Sequence, residues 1–139
     1  MNGERYFLDT FFAIALLNPH DRDHAAGRVW LPRVRAAREV WTTELVLVAI
    51  ADSLSAANRT AAGEFIASLR SNANARIART TPDLFDRGLD LYMSRRDKTW
   101  GLTDCISFLV MEAHGLTEAL TADEHFTQAG FKAVFRANA

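Results

Sequence analysis

Arg5-Tyr6-Phe7-Leu8-Asp9-Thr10-Phe11-Phe12-Ala13-Ile14-Ala15-Leu16-Leu17 is the stretch on which the fold turns. A short apolar run meets a lone carboxylate, and a second apolar run follows until Asn18-Pro19 stops it. A secretory leader would have a basic start and an uncharged core. Here Glu4 offsets Arg5, Asp9 interrupts the apolar run, and Leu17-Asn18-Pro19 makes a poor cleavage site. The reading adopted is a buried strand, Arg5 to Leu8, then a buried helix, Thr10 to Leu17, in a cytoplasmic chain without a membrane segment.

Outward from that unit, strand and helix signals alternate. Asp21 to Ala37 carries Ala25, Ala26, Val29, Trp30 and Val34 at helical spacing, and Pro32 predicts a kink there. Val40-Trp41-Thr42 is a second strand, after which Thr43 caps a helix from Leu45 to Leu54. Ala61 to Leu69 is helical, and Arg76-Ile77-Ala78-Arg79 is a third strand. Thr81-Pro82-Asp83 opens a helix that reaches about Arg95. The next helix opens at Leu102-Thr103-Asp104, is apolar nearly all round from Ile106 to Met111, and closes at His114-Gly115. Glu118 to Thr121 is a fourth strand, Ala122 to Gln128 a short helix, and Ala133-Val134-Phe135 a fifth strand. Strands separated by helices require crossover connections. The expectation is therefore an α/β class, three-layer α/β/α domain spanning residues 1–139, with a parallel sheet covered on both faces.

Composition narrows the function classes. The 139 residues carry 16 Lys+Arg against 17 Asp+Glu, a formal charge of −1, with 49% apolar residues. That excludes disorder and any binding to polyanions by bulk charge, so nucleic-acid contact has to come from a local patch. The single Cys105 excludes an internal disulfide and a Cys-cluster zinc site. It lies in an apolar helix with no activating base nearby in sequence, and a buried thiol is its expected state.

Open parallel sheets bind ligands outside the carboxyl ends of their strands, where the winding reverses. Asp9 follows the first strand, Asp123 closely follows the fourth, and Asp104 lies in the first turn of the buried helix between. With strand order 3-2-1-4-5, Asp9 and Asp123 face each other at the switch point and Asp104 arrives from the side. Converging carboxylates stay together by raising a pKa or by holding a cation. Oxygen donors without Cys or a His cluster favour Mg²⁺ or Mn²⁺, and such an ion suits phosphodiester hydrolysis. Asp is also a common helix cap, and for Asp104 and Asp123 that plainer role weighs equally.

The chain resembles the PIN-domain ribonucleases, and among them the VapC-like toxins of bacterial toxin–antitoxin pairs. The resemblance rests on Phe7-Leu8-Asp9-Thr10, Thr42-Thr43-Glu44-Leu45-Val46-Leu47-Val48, Trp100-Gly101-Leu102-Thr103-Asp104-Cys105-Ile106-Ser107-Phe108, Ala119-Leu120-Thr121-Ala122-Asp123-Glu124-His125-Phe126 and Ala129-Gly130-Phe131. It implies that Asp9, Asp104 and Asp123 are the metal-binding and catalytic acids of an RNA-cleaving centre, with Thr10 and Thr103 beside it on the substrate. It further implies an RNA substrate and a cognate antitoxin. One position departs from the pattern, because Ala49 stands where the family has Glu. Glu44 is about 140° away round the helix, and Asp52 about 60° off and one turn along with a shorter arm. Neither is a good substitute, so the expectation is impaired Mg²⁺-dependent cleavage or, alternatively, a catalytically inactive RNA-binding or antitoxin-binding module.

Other residues admit a plainer reading beside a functional one. Arg95, Arg96 and Lys98 precede the Asp104 helix and can hold an RNA backbone. Arg95 is assigned instead to its helix end, and Lys98 to substrate. His20 and His24 have the spacing of a metal pair but no third ligand, and are read as surface imidazoles. Trp30, Leu31 and the apolar helix from Ile106 to Met111 suggest a homodimer or partner interface, with a larger core as the competing account. A phospho-acceptor receiver domain also gathers acids at strand ends, but needs an acceptor Asp after the third strand, where this chain has Arg79-Thr80-Thr81.

Overall fold

The computed structural model describes residues 2–136, so the outermost positions of the expected 1–139 domain lie outside the described residues. The element order is β1 (Arg5–Leu8), α1 (Thr10–Leu17), α2 (His24–Arg35), β2 (Glu39–Thr43), α3 (Glu44–Leu54), α4 (Arg59–Ser71), β3 (Ala75–Ala78), α5 (Pro82–Ser94), α6 (Leu102–Ala113), β4 (Glu118–Leu120), α7 (Glu124–Gln128) and β5 (Lys132–Ala133). The five strands form one sheet in the order β3-β2-β1-β4-β5, every neighbouring pair parallel. The chain winds from β1 outward to β3, then crosses back to β4 and β5. With right-handed crossovers, that reversal puts α1 to α4 on one face and α5 to α7 on the other. The helix contacts divide accordingly, α1 with α2 and α3, α3 with α4, and α5 with α6. The expected three-layer α/β/α architecture is present.

Local chemistry accounts for the boundaries. Thr43 and Thr81 cap α3 and α5, their hydroxyls accepting from the amides of Val46 and Leu84 at 3.1 Å. Gly115, at φ +65°, ends α6 by letting the Leu116 amide reach back to the Met111 carbonyl at 2.9 Å. The second helix begins later than Asp21, because the Asp21 carboxylate accepts the Asp23 amide at 2.8 Å and holds a turn instead. Pro32 lies inside α2, which continues to Arg35. The last strand is shorter and earlier than expected, and Phe135 leaves the sheet to pack on Phe11, Phe12 and Trp30.

Both faces of the central strands are buried, and Tyr6, Phe7 and Leu8 are almost wholly covered. On one side Trp30 meets Tyr6 edge-on at 5.9 Å and closes over the sheet with Phe135. On the other, Phe126 packs against Phe108 at 5.0 Å and Phe7 at 6.2 Å. The Ile106 to Met111 segment is largely buried in this chain's own core, and Trp30 packs half-buried against it. Cys105 is buried. Among the described residues no helix is long and apolar enough to cross a membrane.

The α5–α6 contact is tight at one point. A Cβ on Gly88 would lie 2.4 Å from Cγ1 of the fully buried Ile106, whereas one on Gly63 in α4 would meet nothing within 4 Å. Gly88→Ala should cost about 1–3 kcal/mol through overpacking, and Gly63→Ala should add up to ~1 kcal/mol by limiting the unfolded chain. Thermal unfolding of the two variants should therefore shift Tm in opposite directions.

Candidate metal centre

Each acid is placed by a helix start. Asp9 is the residue between β1 and α1, with extended backbone at φ −96° and ψ 165°, and its side chain makes no cap hydrogen bond. Asp104 lies in the first turn of α6, where Oδ2 accepts the Gly101 amide at 3.0 Å. Asp123 caps α7, with Oδ1 accepting the His125 amide at 2.9 Å. The capping role weighed for the latter two is present, and it coexists with convergence. Phe126, locked between Phe108 and Phe7, anchors α7 and so fixes where Asp123 points.

The three carboxylates line one open cavity of about 470 Å³, together with Thr10, Phe11, Ile14, Arg22, Ala49, Thr103 and Ala122. Asp9 is buried. Burial is the main reason its pKa rises from 3.8 to about 6, opposed by the Thr121 hydroxyl and the Thr10 amide and reinforced by the charges of Asp104 and Asp123. The Asp104 carboxyl is also raised, again by burial first, with the Gly101 amide and His125 opposing and Asp123 reinforcing. Asp104, Asp123 and His125 each offer a donor atom, all within 4.8 Å of one another. The Nδ1 of His125 is buried and makes no hydrogen bond, although it lies near both carboxylates. Hard oxygen donors beside a buried ring nitrogen without a hydrogen bond are a set that could hold a divalent cation.

A PIN-domain family profile matches residues 6–132. The chain belongs to the PIN-domain family. Two curated relatives, the 23S rRNA-specific endonucleases VapC20 of Mycobacterium tuberculosis strains CDC 1551 / Oshkosh and H37Rv, are each 29% identical over 126 residues, covering 90% of this chain and 94% of theirs. The crystal structure of M. tuberculosis VapC20, described as a sarcin-ricin loop cleaving toxin, superposes with a TM-score of 0.82 at 26% identity, over 93% of this chain and 98% of that one. A Rickettsia felis VapBC2 complex solved on a promoter DNA fragment shares the fold, with TM-score 0.63 and 12% identity over 93% and 96% of the two chains.

The other sequence candidates fall into place around this PIN-domain cavity. Thr10 and Thr103 line it. Lys98 does not. It borders a separate hollow of about 340 Å³ with Tyr92, Met93, Arg95, Arg96, Thr99 and Trp100. Arg95 is held at the end of α5 by Asp97, at 3.0 Å, and lies over the Trp100 ring. Ala49 faces the cavity, while Glu44 turns away to accept the Thr80 amide at 2.8 Å and Asp52 is exposed off the cavity. His24 donates toward the Ala15 carbonyl through Nδ1 at 2.8 Å and belongs to the α1–α2 contact. Sequence reasoning missed Arg22 and His125. Arg22 sits in the turn before α2, with no spacing signal to mark it. His125 had one, since it stands two residues after the capping Asp123 and its backbone amide bonds that carboxylate.

The buried Asp9 carboxylate makes stability depend on pH. The folded state holds this proton more tightly than the unfolded chain, so the stabilisation is present below the ordinary value of 3.8 and is lost as pH rises to about 6. The full penalty above that window is on the order of 3 kcal/mol. Asp9→Asn should therefore raise Tm at pH 7.5 in metal-free buffer, with the gain fading toward pH 4. Added Mg²⁺ should raise Tm of the parent chain more than that of the variant, and an equal rise in both would place ion binding elsewhere.

Proposed function

We propose that this protein is a VapC-type toxin, a divalent-metal-dependent endoribonuclease in which Asp9, Asp104 and Asp123 hold Mg²⁺ or Mn²⁺. The observation that carries the reading is the buried Asp9 carboxylate sharing one cavity with two more carboxylates at the switch point of the sheet. When bound, the ion supplies Lewis-acid polarisation of a phosphodiester and acidification of water. The chain's own part is positional. Asp104 and Asp123 are pinned by backbone amides, so the donor geometry is set before substrate arrives. Thr10 and Thr103 border the cavity where phosphate oxygens would lie, and their hydroxyls can donate to them. Arg22 is a cation on the same rim. Lys98 and Arg96 extend positive charge along the neighbouring hollow, which suits the backbone of a longer RNA.

The likeness to VapC20 extends the proposal to 23S ribosomal RNA, at its sarcin-ricin loop, as the target. The partners that go with this reading are a cognate antitoxin and a second copy of the chain, in a cytoplasmic setting.

A second reading is favoured by one residue. Ala49 presents a methyl group to the cavity where a fourth carboxylate would complete the oxygen set, and on that account the chain is an inactive RNA-binding or antitoxin-binding module. Incubation of purified protein with RNA and Mg²⁺ separates the two. The nuclease reading expects cleavage that EDTA abolishes and that Asp9→Asn or Asp104→Asn reduces by about a hundredfold or more, the several kcal/mol a metal ion supplies. Ala49→Glu should then raise the rate about tenfold or more at fixed Mg²⁺. RNA binding without metal-dependent turnover, unchanged by Ala49→Glu, would establish the module.

A further inference from the structure

His125 lies on the rim of the acidic cavity with its two ring nitrogens in different situations. Nε2 is 3.1 Å from the Thr99 hydroxyl oxygen. Nδ1 is buried and without a hydrogen bond, yet sits 3.2 Å from Asp123 Oδ1 and 3.4 Å from Asp104 Oδ2. If Nε2–H donates to Thr99, the lone pair is left on Nδ1 and faces the two carboxylates. Three lone-pair donors so close repel one another unless a proton on Nδ1 or a cation lies between them, and only a cation can bond all three at once. The spacing matches that cation, because adjacent ligands of an octahedral ion with bonds of ~2.1 Å are roughly 3 Å apart. A ring nitrogen turned to a metal while the other donates its N–H to an oxygen is also the usual arrangement of a ligating histidine.

We propose that His125 ligates the metal through Nδ1 beside Asp104 and Asp123, with Thr99 as its positioning residue, and that it tilts the centre from Mg²⁺ toward Mn²⁺. This rests on the reading of the cavity as a divalent-metal centre. Imidazole binds first-row transition ions well, whereas Mg²⁺ strongly prefers oxygen. Ala49 brings no donor atom to the cavity, so a nitrogen donor adds to a set of three carboxylates.

Pulsed EPR on the full chain loaded with Mn²⁺ tests the assignment without reference to turnover. The expected result is nitrogen-14 coupling to the bound ion, absent in His125→Gln, which still holds Mn²⁺ through the carboxylates. Mn²⁺ that binds and is released by Asp104→Asn, but shows no nitrogen coupling, overturns the histidine ligand and leaves the metal-centre reading intact. Failure to bind Mn²⁺, or retention of it by Asp104→Asn, overturns both. Calorimetric titration adds the selectivity. His125→Gln should weaken Mn²⁺ binding about tenfold or more and Mg²⁺ less than about threefold. Equal losses for the two ions would overturn the tilt toward Mn²⁺, and an unchanged Mn²⁺ affinity in Thr99→Val would overturn the positioning role.

Discussion

A carboxylate held out of water beside two others is the constraint around which this molecule is organised. Asp9 sits between the innermost strand and the first helix, where Leu8 and Phe12 are almost fully buried. Two unit charges ~4 Å apart cost about 4 kcal/mol at an effective dielectric near 20. What offsets that repulsion in the free protein is local. Asp9, Asp104 and Asp123 each stand at the start of a helix, where unpaired amides and the positive end of the dipole favour an anion. Burial first, and the neighbouring charges after it, raise the carboxyl pKa of Asp9 to about 6 and raise that of Asp104 as well, so a falling pH relieves the repulsion. A bound divalent cation would offset most of that repulsion.

The rigidity of the site comes from the aromatic core beneath it. Phe7, Phe108 and Phe126 interlock across β1, α6 and α7, the three elements that carry or directly adjoin the acids. Movement of one acid therefore requires repacking of a dense core. The surroundings are more permissive. Near-neutral net charge gives no general attraction for polyanions, so the proposed RNA contacts depend on where a few basic side chains lie. Arg22 stands on the cavity rim, and Arg96 and Lys98 line the hollow joined to it through Thr99 and His125.

Much of the frame was legible in sequence because its signals are local. Strand and helix cores follow from apolar periodicity, Thr43 and Thr81 from capping chemistry, and Gly115 from the left-handed helix end. The misplacements have local causes too. Asp21 spends its carboxylate on a turn, and Phe135 is drawn from the strand by the ring cluster around Trp30. Lys98 was assigned to substrate near the acids because it precedes Asp104 in sequence, and the end of α5 and the turn after it place it on a hollow of its own. Trp30, read in sequence as surplus for an interface, packs half-buried against the chain's own core.

The sequence by itself determined the alternation of strands and helices, the buried start, and which three acids fall at strand ends and helix starts, since each depends on neighbours a few positions away. Only the tertiary structure decided that Ala49 faces the cavity, that Glu44 and Asp52 do not, and that the imidazole of His125 stands between two carboxylates with one nitrogen unpaired. Those facts depend on the angle at which separate helices meet the sheet edge, and that angle is set by packing among residues far apart in the chain.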